Sequence, residues 1–268
     1  MFLQKQIIES VKKYCEQDSN VAACMMYGSF TKGEGDLYSD VEFYIFIKED
    51  QFETFQSRQW VTEIAPYDLM FHNEYGTEVV IFSSLIRGEF HFLPAIQMDI
   101  IKTFKPTGVF PDTESMFICD KTGMLRSYLD YLGGNGPERM THENVNFAFN
   151  NFVNAWLMGM NVLRRGEAAR ALEVLSQVQK HILHLFRVKE QKVDRWLNFT
   201  KNLENDLNAE DYREYALITS RLQRDDLERA YAHALNVAEK LITELRPIYD
   251  FEVDLKIISK LRHFSSRS

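Results

Sequence analysis

The sequence predicts an α+β protein in which a strand-rich N-terminal domain precedes a bundle of α-helices, and three observations support this class. Short apolar or alternating segments, typical of strands, occupy much of the first 93 residues. A cluster of helix breakers, GGNGP at 133–137, comes later, and from Thr141 onward long segments repeat with the 3.6-residue period of helices. A chain of 268 residues has room for two such domains, which we expect to cover residues 1–135 and 136–268.

The N-terminal domain begins with a helix and continues with strands. Apolar residues recur at three- and four-residue intervals from Leu3 to Cys15, which predicts an amphipathic helix. The predicted strands are apolar or alternate in period two: 21–27, 40–47, 67–73, 77–82 and 87–93. The third and fourth flank Glu74, Tyr75 and Gly76, and this pair is typical of a β-hairpin.

Helical periodicity dominates the C-terminal domain. The predicted helices are 143–165, 167–189, about 191–206, 209–221 and 225–246. Thr141 is placed to cap the first of them, and Gly166 separates the first two. His181 and His184 share a helix face, but no third metal ligand accompanies them and we assign them no chemistry. We expect the tail, 262–268, to be frayed.

The charge distribution argues against nucleic acid as a partner. Lysine and arginine total 31 against 39 acidic residues, a formal net charge of -8. Residues 1–130 carry 11 basic and 20 acidic side chains, or -9, and residues 131–268 carry the other 20 and 19, or +1. An acidic half without a basic stripe has the wrong sign for binding a polyphosphate backbone.

Cysteine usage and hydropathy predict a cytoplasmic protein. Cys15, Cys24 and Cys119 are an odd number without C-x-x-C spacing, which fits buried free thiols in a reducing compartment. The first 17 residues interleave lysines and glutamates, and no later stretch approaches 18 uncharged apolar residues. We therefore expect neither an export signal nor a membrane-spanning segment.

Two acids interrupt an otherwise apolar strand. Asp40 and Glu42 are two residues apart, so their side chains project from the same face, while Val41 and Phe43 project from the other. Two carboxylates this close repel each other unless a cation neutralises them. Hard oxygen donors without histidine or cysteine favour Mg²⁺. The pair is therefore a candidate magnesium site.

The end of the preceding strand suits a phosphate group. Gly28 permits close backbone approach, and Ser29 supplies a hydroxyl and an amide. The sequence has an apolar-Gly-Ser turn, the connection 30–39 and then D-x-E between apolar residues. This order of motifs matches the signature of the polymerase-β-like nucleotidyltransferase superfamily. The alternative is that Asp40 and Glu42 lie on a solvated edge face, but the joint occurrence of both motifs favours the catalytic interpretation.

A third carboxylate in this superfamily comes from a later strand and can accept a proton from an incoming hydroxyl. Glu89 is our candidate for this base, and Glu78 is its competitor. His91 shares the face of Glu89 because it lies two residues further along the same strand. Lys32 is a candidate phosphate ligand. A lysine in a Gly-rich loop is more often a solvated surface side chain, and the same two interpretations, phosphate ligand or solvated side chain, apply to Arg87.

The chain resembles the lincosamide nucleotidyltransferases more closely than the superfamily at large. The resemblance lies in ACMMYGSFTKGEGDLYSDVEFYIF (23–46), NEYGTEVVIF (73–82), LIRGEFHF (85–92), NVLRRGE (161–167) and WLNFTKNLE (196–204). It implies a mixed-sheet nucleotidyltransferase domain, a helical substrate-binding and dimerisation domain like that of the kanamycin nucleotidyltransferases, Mg²⁺ dependence and a homodimer. In this resemblance Asp40 and Glu42 match the metal ligands and Glu89 matches the proposed base.

The expected activity is transfer of a nucleoside monophosphate from a nucleoside triphosphate, such as ATP, to a hydroxyl of a lincosamide. Gly28, Ser29 and Lys32 would contact the phosphates. Two alternatives stay open. An aminoglycoside is a possible acceptor, because the catalytic half does not encode acceptor choice. A non-catalytic, antitoxin-like binding protein is the other, although such a protein tolerates the loss of an acid and all three acids are present here.

Overall fold

The computed structural model describes residues 2–254 and 256–266. The chain divides into two units, Met1–Pro137 and Glu138–Ser268, and the expected boundary lay two residues earlier. The first unit contains a mixed sheet and the second is helical, which confirms the predicted α+β class. No helix within the described residues combines the length and the apolar character that crossing a bilayer requires.

One mixed sheet organises the N-terminal unit. Its strands are β1 (Val21–Tyr27), β2 (Val41–Ile47), β3 (Tyr67–His72), β4 (Glu78–Phe82), β5 (Arg87–Pro94) and β6 (Phe117–Asp120). Their order is β3-β4-β5-β2-β1-β6, with β2 and β5 parallel and the other neighbours antiparallel. The predicted strands agree with β1 to β5 within one residue at each end. β6 was not predicted, since a four-residue segment is too short to show a period.

Both faces of the sheet are covered by helical segments. These are α1 (Leu3–Gln17), α2 (Glu49–Phe52), α3 (Ser57–Thr62), α4 (Leu125–Leu132) and two 3-10 segments, Ser29–Lys32 and Ala95–Thr107. On one face, Val11 of α1 and Trp60 of α3 pack in a cluster with Phe43. On the other, Met98 and Leu129 pack in a cluster that Tyr44 borders. Because strand residues alternate between faces, Asp40 and Glu42 belong to the face of Tyr44.

The C-terminal unit is a helical bundle. Its helices are α5 (His142–Arg164), α6 (Ala168–Lys189), α7 (Leu203–Asp206), α8 (Ala209–Ala216), α9 (Arg224–Leu245) and α10 (Lys256–Ser265). The buried Trp156 indole of α5 donates a hydrogen bond to the Tyr231 carbonyl at 2.8 Å, and the Tyr231 hydroxyl donates to the Ala171 carbonyl at 2.8 Å. The Thr141 hydroxyl accepts from the Asn144 amide at 3.1 Å, so the predicted helix cap is confirmed.

The prediction of a helix over 191–206 is wrong. Most of this segment is turns, and only α7 at its end is helical. The reason is Arg187, which is fully buried and donates to the carbonyls of Lys192, Phe199 and Lys201 and to the Asp206 carboxylate. A charged side chain buried in this way needs partners, and the segment winds around it to supply them.

Two further helix ends differ from the predictions. α8 stops at Ala216 instead of continuing to residue 221. The tail expected to be frayed is helical as far as Ser265, because α10 buries Ile258 and Leu261 in the bundle core. Residues 267–268 of that expectation lie outside the described chain.

Candidate active site

Strand register brings polar residues of three neighbouring strands together. Glu42 of β2 pairs with Glu89 of β5, and Tyr27 of β1 pairs with Glu42. Residues that pair directly on adjacent strands, about 4.8 Å apart, project from the same face. The parallel pairing of β2 and β5 therefore places both predicted acids side by side, although 46 residues separate them in the chain.

A single guanidinium joins the first and third predicted acids. Asp40 lies immediately before β2, and Arg87 is the first residue of β5. The Arg87 Nη1 is 2.5 Å from Asp40 Oδ2, and its Nη2 donates to Glu89 Oε1. All three side chains keep some access to solvent, with exposed fractions of 38% for Arg87, 40% for Asp40 and 19% for Glu89.

Gly28 lies directly against the Glu42 carboxylate. Its φ is +86° and its ψ -154°, a conformation that essentially only glycine adopts. A Cβ at this position would lie 1.5 Å from Glu42 Oε2. The Thr31 hydroxyl donates to the Gly28 carbonyl at 2.8 Å, and Ser29 begins the 3-10 turn. The Gly-Ser turn thus brings bare backbone next to a catalytic candidate.

The structure brings together some of the predicted residues and not others. Asp40 and Glu89 meet at Arg87, and Glu42 meets Gly28, with Ser29 next in the chain. Lys32 is exposed at the end of the 3-10 turn, and its ammonium lies 6.0 Å from the Phe110 ring centroid. Its contact with phosphate stays a prediction.

Glu78, the competitor for the base, faces away from the acids. It pairs with Phe90 of β5, whose ring is buried in the cluster on the opposite face of the sheet. Its carboxylate lies 3.4 Å from the His72 ring nitrogen Nε2. Since adjacent residues on a strand project from opposite faces, Glu78 and Glu89 are on different sides.

Two residues to which the sequence assigned no role, Tyr27 and His91, lie beside the proposed base. The Tyr27 hydroxyl donates to Glu89 Oε2 at 3.1 Å and lies 2.9 Å from His91 Nε2. Tyrosine has one hydroxyl proton, so the His91 Nε2–H donates in the second contact. The His91 ring stacks on Tyr44 with centroids 4.2 Å apart. The available signal was period two, which places His91 on the face of Glu89.

The electrostatics keep this aromatic pair neutral. Burial raises the pKa of Tyr27, and the nearby carboxylates of Glu42 and Glu89 raise it further. Burial also lowers the pKa of His91, an effect that the Glu89 carboxylate opposes only in part. Tyr27 therefore stays protonated at neutral pH and acts as a hydrogen-bond donor to Glu89.

The chemistry of the donors fits a divalent ion, while their present arrangement serves a guanidinium. Asp40, Glu42 and Glu89 supply carboxylate oxygens, the ligands that Mg²⁺ prefers. Among the described residues, however, no three or more His, Cys, Asp or Glu side chains are arranged to hold a metal ion. Arg87 takes the position between Asp40 and Glu89 instead.

The Gly-Ser turn, the acids at the start of β2 and the third acid on its parallel neighbour have the arrangement expected of a nucleotidyltransferase site. The chain is an enzyme of this class. Residues 141–264 match the family model described as "Lincosamide nucleotidyltransferase-like, C-terminal domain". The match lies within the C-terminal unit, and it supports a nucleotidyltransferase of the lincosamide nucleotidyltransferase-like kind.

Solved structures show more distant likenesses. An aminoglycoside 6-adenyltransferase from Bacillus subtilis is 12% identical with a TM-score of 0.44, and the match covers 97% of each chain. A nucleotidyltransferase-like protein from Exiguobacterium sibiricum is 12% identical with a TM-score of 0.38, and the match covers 99% of this chain and 81% of that one. No curated protein matches the chain.

Proposed function

We propose that this protein transfers a nucleoside monophosphate from a nucleoside triphosphate, such as ATP, to a hydroxyl of a lincosamide antibiotic and thereby inactivates it. The observation that carries the proposal is the in-register pairing of Glu42 with Glu89, next to the backbone of Gly28. The family of the C-terminal half supports a lincosamide as the acceptor.

Asp40 and Glu42 are the residues that would hold Mg²⁺. When bound, the ion supplies positive charge that neutralises the triphosphate and the leaving pyrophosphate. The backbone of Gly28 and the hydroxyl and amide of Ser29 are the proposed phosphate contacts, and the missing side chain of Gly28 lets the Glu42 carboxylate lie against the same turn. Lys32, on the exposed end of the same turn, is the proposed cationic contact.

Glu89 accepts the proton of the acceptor hydroxyl. Its Oε2 is already oriented by the Tyr27 hydroxyl at 3.1 Å, so the carboxylate is held in one position before substrate arrives. The acceptor oxygen then forms a bond to the α-phosphorus, the bond from the α-phosphorus to the bridging oxygen breaks, and pyrophosphate leaves. The proton resides on Glu89 after the transfer.

We also propose a cytoplasmic homodimer. The dimer follows from the resemblance to lincosamide nucleotidyltransferases, and the location from three buried free cysteines. Light scattering on the purified chain tests the dimer, and a mass near 31.5 kDa contradicts it.

The activity is tested by incubating the purified protein with Mg²⁺, each nucleoside triphosphate and panels of lincosamides and aminoglycosides. The expected product is a lincosamide heavier by one nucleoside monophosphate. An adduct on an aminoglycoside alone reassigns the acceptor, a phosphate increment indicates a kinase, and no adduct on any acceptor supports the non-catalytic alternative.

The first variant to test in this assay is Asp40→Asn. It removes a negative charge from the proposed ion site, and we expect turnover to fall roughly 100-fold or more with an unchanged melting temperature. The matched control is Asp50→Asn, because Asp50 lies exposed in the short helix α2. Near-normal turnover in a folded Asp40→Asn enzyme excludes the assigned role.

A further inference from the structure

We propose that Arg87 acts as a replaceable cation: its guanidinium bridges Asp40 and Glu89 in the free protein and moves to the polyphosphate when the divalent ion and nucleotide bind. The inference deepens the proposed function and rests on it. It assigns Arg87 as a nucleotide-binding residue and makes the two carboxylates available only when substrate is present.

Arg87 binds two of the three acids at once. One guanidinium nitrogen is 2.5 Å from Asp40 Oδ2 and the other donates to Glu89, so a single charge holds both carboxylates. An arginine side chain keeps its charge in proteins, so the guanidinium is a permanent charge at this position.

Arg87 occupies carboxylate oxygens that the ion and the acceptor proton also need. Asp40 is a proposed ligand of the ion and Glu89 is the proposed base, and each has an oxygen bound to Arg87. A guanidinium and a divalent cation on the same carboxylate repel each other strongly at such distances. Arg87 must leave Asp40 for the ion to bind there, and it must leave Glu89 for that carboxylate to accept a proton.

A triphosphate gives the displaced guanidinium a new partner. Arginine binds phosphate oxygens with two parallel hydrogen bonds, the same geometry that it uses for carboxylates. The backbone of Arg87 is anchored by pairing with Ile81 of β4, while 38% of its side chain is exposed. The side chain is thus able to turn without disturbing the sheet.

This movement of Arg87 from the carboxylates to the polyphosphate is called the exchange below. It predicts that removing Arg87 changes the affinities for a divalent ion and for a nucleotide in opposite directions. In Arg87→Gln the carboxylates have no resident cation, so Mn²⁺ alone should bind the nucleotide-free protein at least tenfold more tightly than it binds the wild type. A Mg²⁺ complex of a non-hydrolysable ATP analogue should bind at least tenfold more weakly. General damage to the fold weakens both, so the difference in sign is diagnostic.

The experiment measures both affinities on the full chain, with electron paramagnetic resonance for Mn²⁺ and calorimetry for the nucleotide. Arg87→Lys keeps the charge without the fork that spans two carboxylates, and its affinities should fall between those of Arg87→Gln and the wild type. The control is Arg126→Gln, which removes the same charge from an exposed pair with Glu114 and should stay within twofold of the wild type. Melting temperatures verify folding.

Two results overturn the exchange: Mn²⁺ binding to Arg87→Gln that is no tighter than to the wild type, or nucleotide binding that is unchanged. Neither measurement needs an acceptor. If the affinities behave as expected but no antibiotic is modified, the proposed function fails and the exchange stands. If the wild type modifies an antibiotic and the Arg87→Gln affinities do not shift, the exchange alone fails.

Discussion

Gly28→Ala offers the sharpest test of the site geometry, because the added methyl group meets the carboxylate of Glu42, a proposed metal ligand. The new Cβ would lie 1.5 Å from Glu42 Oε2, so the carboxylate must withdraw by roughly 2 Å to reach an ordinary contact distance. A misplacement of about 1 Å in a catalytic group is enough to cost 100-fold in rate. We therefore expect kcat to fall by about 100-fold or more, which corresponds to about 2.7 kcal/mol of transition-state stabilisation.

The same substitution also strains the backbone. Gly28 has φ +86° and ψ -154°, and a non-glycine residue there costs on the order of 1–3 kcal/mol of folding free energy. Gly123→Ala separates the two effects. Its φ is also positive, at +75°, but nothing lies within 4 Å of the added Cβ, so it should lower stability without lowering kcat.

The assay combines urea denaturation with steady-state kinetics of nucleotidyl transfer for both variants. The expected pattern is a loss of stability in both and a loss of kcat in Gly28→Ala alone. The reasoning is refuted if Gly28→Ala retains wild-type kcat, since Glu42 would then not need its position against the turn, or if Gly123→Ala loses as much activity as Gly28→Ala.

Two further predictions concern the base and the pH dependence of stability. Glu89→Gln should lower kcat by about 100-fold or more, as removal of a general base does, while Glu78→Gln, on the opposite face, should stay within a few fold; equal losses in both variants would contradict the assignment. Burial lowers the pKa of His184 to about 4, although a hydrogen bond to the Trp196 carbonyl opposes the shift. Between pH 6.5 and 4 the unfolded chain therefore takes up a proton at His184 that the folded chain does not, and this group lowers the free energy of unfolding by about 2 kcal/mol from pH 7 to pH 5. Burial also lowers the pKa of the neighbouring His181 to about 4, so His184→Gln should reduce the slope in urea titrations without abolishing it. Parallel slopes in variant and wild type would show that His184 does not contribute to it.

Much of the site was predictable because it depends on short-range patterns. Alternation in period two decides that Asp40 shares a face with Glu42 and that Glu89 shares one with His91. The same alternation and the apolar runs located β1 to β5 within one residue at each end. The Gly-Ser turn was informative because a D-x-E motif follows it after the connection 30–39, and the two motifs occur together less often than either does alone.

Patterns of this kind failed where a buried side chain outside the segment determined its backbone. The segment 191–206 has helical periodicity, yet it forms turns because the buried Arg187 requires its carbonyls. The sequence analysis favoured Glu89 over Glu78 as the base, but local patterns could not assign the two residues to opposite faces of the sheet. Both lie on strands with suitable alternation, and only the pairing of β4 with β5 shows that Glu78 faces the other side.

The amino-acid sequence alone determined the class of fold, the boundaries of most strands and the residue types of the candidate site, since each depends on spacing within a few residues. The tertiary structure decided which side chains meet there: Glu42 beside Glu89, Tyr27 on the proposed base, and Arg87 between two acids. The physical reason is that parallel pairing of β2 and β5 joins segments far apart in the chain. Their register follows from packing of the whole sheet, and no local pattern encodes it.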